Sequence, residues 1–338
     1  MRKGIAIAGT ISLDEIKAVD CYPDKSELTT INSVRRSIGG AVSNCSVALA
    51  KIDRNLVVEA ITYLGNDEKG KYLYECLNTY PNIDLKQLKI IGETPFTDVI
   101  QDKHDKTRTF LTFRGNSSLF NENSIDLIKL KSKILHIAYI LLLDSLDEED
   151  LEYGTKMAKL LKKAQELGIK TSIDIVSESG IRYEKTVPPS LKYTNYCVIN
   201  EYEAGKSVGI NLRDRSGKLL TGDIKKVLYK LKELGVKDWV VVHVPEGSFG
   251  YDGKNVYSIP SLFIEIESIK GTVGAGDAYV AGILYGAHKG FNLNESMKLA
   301  TASAASSLFE EDSTSGIKNY EELVLLYDNY PKREDIKI

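Results

Sequence analysis

At 338 residues, with 43% hydrophobic and 27% charged side chains, the chain has the composition of an ordinary globular protein and can bury a large core. Its 44 basic and 47 acidic residues leave a net charge of −3, which argues against the strongly basic face that nucleic acid demands. The four cysteines (21, 45, 76 and 197) are scattered without a C-x-x-C spacing, which argues against both a zinc site and a disulfide framework. No secretory apolar stretch and no run of roughly 20 apolar residues is visible, so the expectation is a cytoplasmic protein that touches neither membrane nor nucleic acid.

In chain order, Ile5 to Gly9 is a short apolar strand. Ala18 to Arg36 breaks into β-like pieces, and a small-residue helix opens after Gly39-Gly40 and ends about Lys51. Val57 to Leu64 reads as a strand and Glu68 to Leu77 as a helix. Phe96 to Ile100 and Thr107 to Phe113 alternate as a hairpin around the polar turn Asp102 to Lys106. From there the pattern is βα: strand Ile134–Ile140, helix 149–167, strands Lys170–Ile175 and Tyr196–Ile199, helix 221–234 and strand 236–244. Helices from Asp277 and from about Asn294 to Leu308 follow, and Lys332 to Ile338 is expected to fray.

Alternating strands and helices imply an α/β fold with a doubly wound, mainly parallel sheet covered on both faces. The β-rich stretches at about 14–38 and 93–118 have no helices to cover them and are expected to pair as a small lid sheet. No linker divides the chain, so residues 1–338 read as a single domain. Asp14, Gly39-Gly40, Asn200, His243 and Gly274 to Asp277 all follow strands, which puts them on the edge where open α/β sheets bind ligands.

Gly271-Thr-Val-Gly-Ala-Gly-Asp277 runs directly into an apolar helix. A glycine-rich turn at a helix start offers backbone amides and a positive dipole end to an anion, although a plain tight turn has the same look. A carboxylate placed there points to a base beside a group that becomes negative during reaction. The amides of Gly274, Ala275 and Gly276 would face that charge, and the lack of a Cβ at 274 and 276 is expected to permit both the turn and the close approach of the anion. Asn200 and Glu203 offer an amide and a carboxylate to a hydrated Mg²⁺, or else form a helix cap.

Ile38-Gly-Gly-Ala-Val-Ser-Asn44, Asn200-Glu-Tyr-Glu203 and Gly274-Ala-Gly-Asp277, in this order and spacing, resemble the ribokinase-like (PfkB) family of ATP-dependent sugar and nucleoside kinases. The resemblance runs from Ile5 to about Ile317. It implies a cytoplasmic kinase that uses ATP and Mg²⁺ to phosphorylate a hydroxymethyl group of a small substrate, most readily a free sugar, with Asp277 as the base. It implies that Asp14 accepts hydrogen bonds from substrate hydroxyls beside Gly39, Gly40 and Asn44, with Asp144 and Arg108 as further substrate contacts. Arg114 lies in a similar segment of the hairpin. The nucleotide would meet Asn200, His243, Gly247 and Thr272, and lid sheets of this kind can pair to form a homodimer.

Two departures stand out. Gly271 replaces an acid that helps several relatives bind a monovalent cation, which puts K⁺ dependence in doubt. His243 and Pro245 stand where the family has Thr and Gly in a phosphate-lining turn. A nucleoside kinase and a catalytically weak sugar sensor are the rival readings. A dinucleotide-binding oxidoreductase is excluded because Gly9-Thr-Ile-Ser-Leu-Asp14 lacks G-x-G-x-x-G.

Overall fold

The structure is a computed structural model and describes residues 2–104 and 107–338, so the turn expected at 102–106 lies partly outside the described residues. The strand Ile5–Gly9 is buried along its whole length and lies inside a nine-stranded sheet, third from one edge. Its alternation divides the core. Ile5 and Ile7 join one apolar cluster with helices Ala41–Ile52, Ala275–Lys289 and Leu293–Ser307, whereas Ala6 and Ala8 join the other with Lys156–Glu166, Tyr183–Leu191 and Ile224–Glu233.

From one edge the order is Val256–Pro260, Gly247–Tyr251, Trp239–Val244, Tyr196–Asn200, Lys170–Ile175, Ile134–Ile140, Ile5–Gly9, Val58–Ile61 and Ile83–Asp84. Every neighbouring pair is parallel except those made by the two strands at the first edge. The result is a doubly wound, mainly parallel α/β sheet, and in such sheets ligands bind beyond the carboxyl ends of the parallel strands.

The two β-rich stretches do pair outside the main layer. Strands Ile31–Gly39, Ser12–Val19, Phe96–Asp102 and Arg108–Phe113 form a four-stranded sheet in that order, with Asp14 opposite Ser37 on one side and Thr97 on the other.

Three expectations need correction. The helix expected over 149–167 begins only at Lys156, because Gly154 takes a left-handed φ of 86° and the Thr155 hydroxyl caps the new start by accepting from the Ala158 amide. The segment before it folds as the small hairpin Glu149–Asp150 and Gly154–Thr155. The C-terminal segment is docked rather than frayed: the Arg333 amide donates to the Ser261 carbonyl, Ser258 Oγ donates to the Ile336 carbonyl, and Ile336 and Ile338 pack on the core. Lack of a side chain is required for the turn at Gly274, with φ at 80°, but not at Gly276, which sits inside the helix.

Candidate active site

The helix Ala275–Lys289 starts at Gly274, and its first amides have no intrahelical acceptor. A Cβ on Gly274 would lie 2.3 Å from the Ser313 Cβ, so the turn is pressed against the loop after helix Leu293–Ser307. Asp277 lies in the first turn and is only 6% exposed. Its Oδ1 accepts from Tyr139 Oη at 2.6 Å and its Oδ2 from Asn44 Nδ2 at 2.8 Å, while the Cys45 thiol stands 3.8 Å from Oδ1. Burial raises its pKa above the ordinary carboxylate range, and the donors from Tyr139, Asn44 and Cys45 oppose that rise.

The family resemblance places Asn44 among the substrate contacts. In the structure its Nδ2 holds Asp277 and its Oδ1 accepts from Ser313 Oγ at 2.7 Å. Gly39 ends its strand opposite Ser12, and a Cβ there would lie 2.4 Å from Asp14 Oδ1; Gly40 begins the helix that carries Asn44. Asp14 thus stands against the Gly39-Gly40 turn. Burial lifts its pKa to about 6, and the charge of Asp277 adds to the rise. The two carboxyl groups are close enough to sense each other across the site.

Of the other expected substrate contacts, Asp144 is engaged elsewhere. Asp144 Oδ1 accepts from Arg114 Nη1 at 2.5 Å, tying the short helix Asp144–Asp147 to the segment that follows the last strand of the small sheet. Arg108 lies on the last strand of that sheet, opposite Gln101.

A cavity of about 510 Å³ borders the same turn, lined by Asn200, His243, Gly247, Thr272, Ala275 and Gly276 among others. All four expected nucleotide contacts therefore meet in one place of nucleotide size. The His243 ring stacks on Tyr279 with centroids 5.2 Å apart, and burial lowers its pKa to about 4, so it is a neutral imidazole at pH 7.

Asn200 and Glu203 form a full capping box: the Asn200 side chain accepts from the Glu203 amide and the Glu203 side chain from the Asn200 amide. Ser177 Oγ and Asn200 Nδ2 also donate to Glu203 Oε1, both at 2.7 Å. The helix-cap reading is thus realised. Among the described residues no group of three or more His, Cys, Asp or Glu side chains is arranged to hold a metal by itself.

Sequence reading missed Tyr139, Cys45, Ser313 and Asp174. Asp174 is buried in strand Lys170–Ile175, and burial with the charges of Glu203 and Asp277 raises its pKa strongly. A lone acid in an apolar strand was a readable signal for it. Tyr139, Cys45 and Ser313 gave none.

The family profile described as pfkB family carbohydrate kinase matches residues 7–319. The chain belongs to this family. It is 25% identical over 305 residues to a nucleoside kinase of Methanocaldococcus jannaschii, covering 89% of each chain. It is 23% identical over 322 residues to a ribokinase of Lactococcus lactis, covering 94% of this chain and 95% of that one. The crystal structure of a ribokinase from Thermotoga maritima superposes with a TM-score of 0.78 at 22% identity, covering 97% of this chain and all of that chain. As a pfkB-family kinase the chain is a phosphotransferase, and no helix among its described residues is long and apolar enough to cross a membrane.

Proposed function

We propose that this pfkB-family kinase transfers the γ-phosphoryl group of ATP to a hydroxymethyl oxygen of a small sugar, with Asp277 as the base. The observation that carries this reading is the caged carboxylate of Asp277 at the amide-rich start of helix Ala275–Lys289, with Asp14 close by and a nucleotide-sized cavity at the same turn. The hydroxyl oxygen bonds to the γ-phosphorus, the bond to the β,γ-bridging oxygen breaks, the hydroxyl proton passes to Asp277, and ADP leaves. Phosphoryl transfer asks mainly for positioning and charge stabilisation, which the amides of residues 274–276 supply at the phosphoryl group and Asp14 at the acceptor hydroxyls. A raised pKa brings Asp277 closer to the strength that general-base catalysis favours near neutral pH.

Asn200, Glu203 and the buried Asp174 suit a hydrated Mg²⁺, because mutually repelling carboxyl groups beside a phosphate site call for a cation that keeps several of its waters. Bound there, Mg²⁺ would neutralise charge on the phosphate oxygens. Similarity to the Methanocaldococcus jannaschii nucleoside kinase favours a second reading, a nucleoside acceptor at the same site. The reading also includes the four-stranded sheet as a lid over the acceptor, and as a surface through which two copies could pair.

ADP release measured with ATP, Mg²⁺ and a panel of sugars and nucleosides tests the reading. Turnover with a sugar that Asp277→Asn abolishes supports it. Turnover with nucleosides alone selects the second reading, and no turnover with any acceptor rejects both.

A further inference from the structure

The small sheet divides its charges between its two faces. Directly opposed residues on paired strands share a face, and residues two apart along a strand share it too. On the face away from Asp14, Lys17 pairs with Asp98, and Arg36 pairs with Glu15 and, at 2.7 Å, with Glu68. Each cation there has a carboxylate. The face that carries Asp14 holds Ile16 and Ala18 on the same strand, Ser37 and Arg35 on one neighbour, Thr97, Val99 and Gln101 on the other, and Thr112, Phe110 and Arg108 on the last. Its arrangement is different. Arg35 reaches Glu311, in the loop whose Ser313 holds Asn44. The Arg108 guanidinium is partly buried and, among the described residues, makes no ion pair or hydrogen bond; burial first, and the positive charge of Arg35 second, depress its pKa.

Two guanidinium groups near enough to repel, one of them half desolvated without a counter-ion, are costly unless an anion joins them. Arg35 is aligned one pair of residues beyond Asp14 along the strands, and Arg108 two pairs beyond. At about 3.3 Å per residue these rows lie roughly 7 and 13 Å along the strands from Asp14, and with about 4.8 Å for each strand crossed the Cα positions of Arg35 and Arg108 lie roughly 8 and 16 Å from it. With side-chain reach, that spans a five- or six-carbon chain whose far end meets the arginines while its near end meets Asp14 and Asp277.

We infer that the acceptor is an anionic sugar derivative whose carboxylate or phosphate is received by Arg108 and Arg35, at the end of the molecule opposite the hydroxymethyl group offered to Asp277. This inference rests on the kinase reading above. A neutral sugar leaves Arg108 without a counter-ion, whereas a planar carboxylate or a phosphate matches the donor fork of a guanidinium.

The test compares ADP release with two anionic acceptors, gluconate and fructose 6-phosphate, against their neutral counterparts sorbitol and fructose, for wild type, Arg108→Gln and Lys17→Gln. The expected wild-type result is a higher kcat/KM for at least one anionic acceptor than for its neutral counterpart, and which of the two is preferred separates carboxylate from phosphate. In Arg108→Gln the ratio of anionic to neutral kcat/KM should fall roughly tenfold or more, the usual effect of losing a charge-assisted hydrogen bond. Lys17→Gln, on the paired face, should leave that ratio within about twofold, the scale of an exposed ion pair. A wild type that prefers the neutral acceptors, or an Arg108→Gln ratio that falls less than about fivefold, overturns the inference while ADP release keeps the kinase reading intact. Absence of ADP release with every acceptor removes the kinase reading and this inference with it.

Discussion

Tyr139 and Asp277, 138 positions apart, meet in a hydrogen bond of 2.6 Å from the phenolic oxygen to Oδ1. Tyr139 comes from strand Ile134–Ile140 and Asp277 from the first turn of helix Ala275–Lys289, so the central sheet itself supports the carboxylate. A phenol donating to a carboxylate stabilises its charged form, which opposes the rise in pKa that burial imposes on Asp277.

Tyr139→Phe removes this donor and leaves the burial, so the Asp277 pKa should rise. The acidic limb of the pH profile of kcat/KM should move to higher pH. Loss of one hydrogen bond predicts turnover at pH 6 reduced roughly fivefold and turnover at pH 8.5 changed by less than about twofold. An unmoved limb would show that Tyr139 does not govern the ionisation of the base.

Asp277→Asn preserves the shape of the cage and removes the proton acceptor. Turnover should fall by about 10² to 10⁴, the usual worth of a positioned base. Calorimetric titration with ATP should show affinity within a few-fold of wild type, because the cavity is lined by Ala275 and Gly276 but not by Asp277. Near wild-type turnover would remove Asp277 from the reaction.

The fold was legible in the residues that repeat. Apolar runs at Ile5–Gly9, Ile134–Ile140 and Tyr196–Ile199 and alternation over Phe96–Ile100 and Thr107–Phe113 announce both sheets. Helix Tyr183–Leu191 escaped because Pro188 and Pro189 read as a breaker. The edge strands Gly247–Tyr251 and Val256–Pro260 escaped because glycine and proline weaken the strand pattern. In the site, Asp277 and Asp14 were visible as acids after strands. Tyr139 and Cys45 were not, since a tyrosine in an apolar strand and a cysteine in a small-residue helix look like core until a distant carboxylate is placed against them. Ser313 depends on a loop packed against Gly274, a contact that no local pattern encodes.

Asp14 gives a pH dependence of stability whose sign is fixed by its raised pKa. The folded state holds the proton up to about pH 6, whereas the ordinary value is 3.8, so the folded state binds more protons between these values. Stability from this group is fully present below pH 3.8 and is lost as the pH rises through about 6. Asp14→Asn should remove that loss and stabilise the protein by about 1–3 kcal/mol at pH 7.5. The same variant should lose acceptor binding, read as a rise in KM. Urea unfolding at pH 4.5 and 7.5 measures the first effect; a variant no more stable than wild type at pH 7.5 contradicts it.

The glycines of the turn separate by geometry. Gly274→Ala forces a left-handed residue to carry a Cβ that lies 2.3 Å from Ser313 Cβ, and the φ value alone costs about 1–2 kcal/mol. Gly276→Ala puts a methyl group 3.6 Å from His243 Cε1, an ordinary contact, at a helical position where alanine is favoured. Thermal unfolding should therefore drop several degrees for the first and hold or rise slightly for the second. In the second, KM for ATP should rise because the methyl enters the cavity wall. Equal destabilisation of the two variants would mean the turn is held differently from this structure.

The monovalent cation depends on Gly271. A Cβ there would lie 2.8 Å from the carbonyl oxygens of both Glu310 and Glu311, so the loop packs tightly against the position where the family resemblance implies an acid. A hard cation prefers oxygen ligands, and losing an anionic one weakens its hold even where carbonyls remain. Exchanging Na⁺ for K⁺ at constant ionic strength should change kcat by less than about threefold, roughly 0.65 kcal/mol in the barrier. Gly271→Asp should not restore K⁺ activation, because the added side chain meets backbone on both sides and must displace the loop that carries Ser313. That displacement loosens the Ser313–Asn44 hydrogen bond of 2.7 Å and with it the cage around Asp277, so the variant should lose turnover in either salt. Tenfold activation of the wild type by K⁺ would show that Glu310, Glu311 or Asp312 supplies the missing ligand.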